Sequence, residues 1–141
     1  MRYGHLFLFV WIFTLLSTLS YAQEYTTDSN TVALWHFNEG SGSLTLDETG
    51  RFNGTVNGAA WTTGKYGNAL SFNGVTNSVT ISSNLSEGIT SQMTAEAWIY
   101  TTKTEGRIVG RYSREGLSYL LTIEGGKIAF YVNSPSYTSA G

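Results

Sequence analysis

A chain of 141 residues with 8 basic and 10 acidic side chains, one proline and no cysteine holds one ordinary domain. It excludes disulfides, a thiolate metal site and a cysteine nucleophile. A net charge of −2 gives no electrostatic footprint for nucleic acid or for an anionic membrane surface.

The first stretch is set apart from the rest. Arg2 forms a short basic region, 6–16 is an apolar run broken only by Thr14, and 17–22 turns small and polar. Ser20 and Ala22 fall at the −3 and −1 positions of a cut after Ala22. This is the layout of a cleaved secretory signal peptide over residues 1–22. The apolar run is too short for a bilayer-spanning helix, which takes about 20 residues. The expectation is an exported chain, secreted or held at the cell surface, with no membrane insertion once the signal is removed. Loss of Arg2 leaves 7 basic against 10 acidic side chains, a formal charge of −3.

Residues 23–30 (QEYTTDSN) are polar and read as a flexible leader. Beyond them, Val, Ile, Thr and aromatic residues suit pleated, half-buried surfaces, while Gly and Asn supply tight turns. Short strands are predicted at 32–37, 54–60, 69–72, 78–82, 94–101, 107–112, 119–124 and 127–132. No segment has a helical period of any length. The predicted class is all-β, because strands this short and evenly spaced build sandwiches and jelly rolls.

Alternation supports the later strands. Val79 and Ile81 share one face of theirs; Tyr119, Leu121 and Ile123 share another, as do Ile128, Phe130 and Val132. Glu124-Gly125-Gly126-Lys127 reads as a tight hairpin, since glycine tolerates positive φ. Ser113-Arg114-Glu115-Gly116 reads as the hairpin before it. The strand 94–101 has apolar residues on both faces, with Trp98 and Tyr100 on one and Ala95, Ala97 and Ile99 on the other. That pattern predicts a central strand covered on both sides.

An ordered series of motifs then stands out. Leu34-Trp35-His36-Phe37-Asn38-Glu39-Gly40-Ser41-Gly42 is followed by Asp47-Glu48-Thr49-Gly50-Arg51-Phe52-Asn53-Gly54. Trp61 and Gly64-Lys65-Tyr66-Gly67-Asn68-Ala69-Leu70-Ser71-Phe72-Asn73-Gly74 come next. Val79-Thr80-Ile81 and Met93-Thr94-Ala95-Glu96-Ala97-Trp98-Ile99 complete it. In this order the series resembles the laminin-G-like jelly rolls of the concanavalin A-like lectin/glucanase superfamily, over 31–132. The resemblance implies a two-sheet antiparallel jelly-roll sandwich over 31–141, with ligand sites on the concave face or the rim loops. It also implies later strands that do not occur here, so the chain is expected to be the N-terminal portion of a longer, truncated domain.

Glucanases share the superfamily, but glycoside hydrolysis needs two carboxylates flanking the scissile bond. No predicted strand carries two at even spacing, and Glu96 is alone on its strand. A non-catalytic chain is therefore expected, with Glu96 paired to Arg107 or Arg111 because an isolated buried charge is costly. His36 is the one histidine after signal removal, set between two aromatics, and reads as structural.

The cofactor that the resemblance implies is calcium, held in rim loops by oxygen ligands. The matching positions are Asp47 and Asn73. The competing reading makes both of them turn residues that bond nearby backbone.

Polysaccharide or glycan is the favoured partner. Sugar rings stack on aromatic side chains while amides and carboxylates take their hydroxyls. Trp61, Tyr66, Tyr112 and Tyr131 are the candidate ligand-binding residues, and Trp35, Phe37, Phe72 and Trp98 are assigned to the core. The other function class is a protein-binding or structural adhesion module that meets an extracellular protein. An exposed aromatic pair with a nearby asparagine on the concave face favours the first; a closed concave face filled by Leu, Ile and Phe favours the second.

Overall fold

The computed structural model describes residues 24–82, 85, 89, 92–112 and 118–133. The signal peptide, the 113–116 turn and the chain beyond 133 lie outside the described residues. Eight strands run in chain order: β1 (Leu44–Thr45), β2 (Gly54–Asn57), β3 (Ala60–Thr63), β4 (Asn68–Ser71), β5 (Ser78–Ile81), β6 (Gly106–Arg111), β7 (Ser118–Glu124) and β8 (Lys127–Asn133). There is no helix among the described residues. The chain is all-β and sandwich-like, built from several antiparallel sheets.

Three sheets form: β1-β2-β5, β3-β4, and the meander β6-β7-β8. Every pairing is antiparallel. The predicted strand 54–60 is two strands in different sheets. It breaks at Gly58, whose φ of 73° takes the chain out of extended geometry between β2 and β3. Between β7 and β8 the turn is the one that the sequence predicts, with Gly125 and Gly126 at φ 56° and 74°.

Two predicted strands are corrected. The segment 32–37 joins no sheet. The Leu34 amide goes to the Asp47 carboxylate instead of a ladder carbonyl, the Trp35 indole N–H goes to the Phe52 carbonyl, and Phe37 takes a positive φ of 58°. The segment 94–101 also joins no sheet, and Trp98 there is 75% exposed.

The buried apolar side chains are Tyr119, Leu121 and Ile123, on one face of β7, and Val56 in β2. This corrects the assigned core. Trp35 and Phe37 are half-buried, whereas Phe72 and Trp98 are exposed. The leader is tied to the body: the Glu24 carboxylate accepts from the Asn38 amide at 2.9 Å and lies 3.8 Å from Nδ1 of His36. Glu96 accepts a hydrogen bond from the leader's Tyr25 hydroxyl, and that bond raises the phenol's pKa.

Candidate functional site

The two candidate calcium ligands are both surrounded by hydrogen-bond donors. Asp47 is 4% exposed in the turn after β1. Its Oδ1 accepts from the amides of Leu34 at 2.8 Å and Thr49 at 3.1 Å. Its Oδ2 accepts from the amides of Phe52 at 3.0 Å and Arg51 at 3.2 Å, and from the Thr49 hydroxyl. Burial works against the charge, but these bonds outweigh it and hold the carboxyl below its ordinary value of 3.8. Oδ1 of Asn73 accepts from the amides of Val75, Thr76 and Asn77 at 2.9 to 3.1 Å, and its Nδ2 donates to the Thr76 hydroxyl. A cation needs oxygen lone pairs directed at it; here those lone pairs face N–H and O–H donors. The structure gives both residues the turn-building role.

The four candidate aromatics divide into two pairs. Trp61 (β3) and Tyr66 (the β3–β4 turn) are half-buried. The Trp61 indole N–H donates to the Gly42 carbonyl at 2.9 Å, which pins the ring to a loop. Tyr66 meets Trp98 edge-on, at 6.1 Å between centroids and 89° between planes. Trp61 is thus held by a hydrogen bond and Tyr66 by an aromatic contact.

Tyr131 lies on β8, and Tyr112 directly follows the end of β6. Gly110 pairs with Leu120 and Leu120 pairs with Tyr131. Paired residues of antiparallel strands share a face, so these three form one row. Ser118 pairs with Asn133. Tyr112 follows Arg111, the last residue of β6, which pairs with Tyr119; the same register continued one residue further would set Tyr112 in the Ser118–Asn133 row, on the face of Tyr131. Ordinary sheet spacings would then put the two tyrosine Cα atoms about 12 Å apart. Tyr112 is 84% exposed and Tyr131 53%.

The floor between them is low. Gly110 has no side chain, and a Cβ built there would lie 2.9 Å from Cδ1 of Leu120, so leucine occupies that space. The Tyr131 hydroxyl donates to Oε2 of Glu124 at 2.8 Å, which raises the phenol's pKa and fixes the ring's direction. The face thus offers two phenol rings, the Asn133 amide and the Glu124 carboxylate. Asn133 and Glu124 were not among the sequence candidates. The signal was available, because the Gly-Gly turn fixes Glu124 opposite Lys127 and so sets the odd-numbered residues of β8 on one side.

An open groove of about 460 Å³ runs along Glu24, Tyr25, Thr26, Thr27 and Asp28; none of the four candidate aromatics lines it. Among the described residues no group of three or more His, Cys, Asp and Glu is placed to hold a metal ion.

No protein-family model matches the chain, and neither does any curated protein. Among solved structures it is similar to the crystal structure of residues 221–444 of an S-layer domain-containing protein from Clostridium thermocellum, with a TM-score of 0.56 and 20% sequence identity. The likeness covers 77% of this chain and 59% of that one, so the chain spans less than two thirds of its neighbour's length. What the two have in common at this identity is a fold, and the shared fold is all-β.

Proposed function

We propose that this chain is a non-catalytic binding module of the laminin-G-like, jelly-roll type, exported to the cell surface or secreted, and that it holds polysaccharide on the Tyr112–Tyr131 face. The supporting observation is the exposure of Tyr112 and Tyr131, which the β6–β7–β8 register, continued one residue past β6, would set on one face with Asn133. Phenol rings stack on the apolar faces of sugars, while an amide and a carboxylate take hydroxyl groups. Glu124 is held by the Tyr131 hydroxyl, a positioning contact suited to binding rather than proton transfer. The S-layer domain-containing neighbour agrees with a surface location.

Affinity electrophoresis through a panel of soluble polysaccharides, with wild type against Tyr112→Ala and Tyr131→Ala, tests the reading. Retardation by at least one glycan is expected, weakened about tenfold by each substitution, equivalent to ~1.4 kcal/mol. Absence of retardation across the panel, or retardation indifferent to both substitutions, would count against it. A second reading, an adhesion module for an extracellular protein, is favoured by one observation: Trp98 and Tyr100 are 75% and 98% exposed side by side in one extended segment.

A further inference from the structure

The two edges of the β6-β7-β8 sheet are built differently. β6 carries a register shift between Arg107 and Val109, two arginines and two glycines. Bulges and edge charges are the devices by which sheets refuse a further strand. β8 has fewer of them. It pairs with β7 through seven residues without a register shift, contains no proline, and bears one charge, Lys127, at its start. Ile128, Phe130 and Val132 on it are all exposed, although their row continues the buried row Tyr119, Leu121 and Ile123 of β7.

We infer that two copies of this chain associate by antiparallel pairing of β8 with β8, making one six-stranded sheet across a two-fold axis at Phe130. Charge and shape select the occupant. Head-to-tail addition of β8 to the β6 edge meets a bulge and two cationic side chains, so open-ended growth is blocked. Pairing of β8 with itself sets Ile128 opposite Val132, Ala129 opposite Tyr131, and Lys127 opposite Asn133. No like charges meet, and the apolar row runs unbroken across the axis. An isologous contact of this kind closes at two. One strand pair is a small interface, so the dimer is weak, with a micromolar dissociation constant. The inference does not depend on sugar binding, although it would bring two tyrosine faces into one surface.

Sedimentation velocity from low to high micromolar concentration, with hydrogen exchange of the β8 amides, tests it. Wild type is expected to move from monomer to dimer and no further, with β8 amides slowing as the dimer forms. Phe130→Lys and Phe130→Glu each place like charges across the axis and are expected to stay monomeric; an equimolar mixture is expected to recover the dimer mass. The mixture separates loss of pairing from loss of fold, and the wild-type measurements stand without either variant. A wild type that is monomeric throughout, with β8 amides already protected, means that another stretch of the same chain covers the edge, and the inference falls. A ladder of larger species overturns it too, as does β8 exchange that is fast at every concentration.

Discussion

The amide of Leu34 donates to the Asp47 carboxylate at 2.8 Å across thirteen residues of chain. The same carboxylate gathers the Thr49, Arg51 and Phe52 amides, so one buried side chain holds the segment before β1 against the turn before β2. Asp47→Asn keeps the shape and removes the charge, and it turns an NH2 group toward N–H donors. Buried donors left without an acceptor cost about 1–3 kcal/mol each, and bonds to a charged group are the stronger ones. A loss of about 3 kcal/mol is expected, read from the urea midpoint by tryptophan fluorescence, since Trp35 bonds the Phe52 carbonyl beside this turn. An unchanged midpoint would remove Asp47 from its anchoring role.

The same network sets a pH dependence. Asp47 is held below its ordinary value of 3.8 in the folded chain, so its ionised form is bound more tightly folded than unfolded. A depressed carboxyl contributes stability that is fully present above the unfolded value and lost as pH falls through the folded one. The gap in stability between wild type and Asp47→Asn is therefore expected to be constant at neutral pH and to narrow from just above pH 3.8 downward. Melting temperatures of both proteins across an acid series check this; parallel curves would show that the carboxylate's charge is not what the turn binds.

Calcium follows from the same accounting of lone pairs. With Asp47 and Asn73 both accepting from backbone amides, cation binding at either would require breaking those bonds first. Millimolar calcium against a chelator is expected to leave the melting temperature and protease resistance unchanged. A rise with calcium would mean that one of these turns rearranges around the ion.

Where the sequence carried its own turn, the fold was legible. The β7–β8 hairpin came from two alternating runs and a Gly-Gly corner, and β5 from a single alternating run; in both, neighbouring residues settle the conformation. The segment 94–101 shows the limit. Alternation of Ala95, Ala97 and Ile99 with Trp98 and Tyr100 states a preference for extended backbone, but not which strand lies alongside, and the structure pairs it with none. The segment 32–37 failed for a different reason. Its apolar pattern is real, yet its donors are claimed by a carboxylate and a carbonyl further along the chain, a non-local competition that periodicity does not contain. The tyrosine face was half legible: Tyr112 and Tyr131 were candidates, but the register that joins them to Asn133 needed the β6–β7 pairing across undescribed residues.

Thr45 supplies the last test. It is 0% exposed and pairs with Gly54, whose missing side chain makes room for it: a Cβ on Gly54 would lie 2.8 Å from Cγ2 of Thr45. Its methyl is therefore packed, but its hydroxyl meets no hydrogen-bond partner among the described residues. A buried hydroxyl without a partner carries a desolvation cost and returns nothing for it. Valine has the same branched shape and replaces the hydroxyl by a methyl. Thr45→Val is thus expected to stabilise the domain by about 1 kcal/mol, where most buried substitutions destabilise. Urea unfolding of the variant beside wild type decides the matter: a lower midpoint would show that the hydroxyl is bonded after all, and that the β1–β2 corner depends on it.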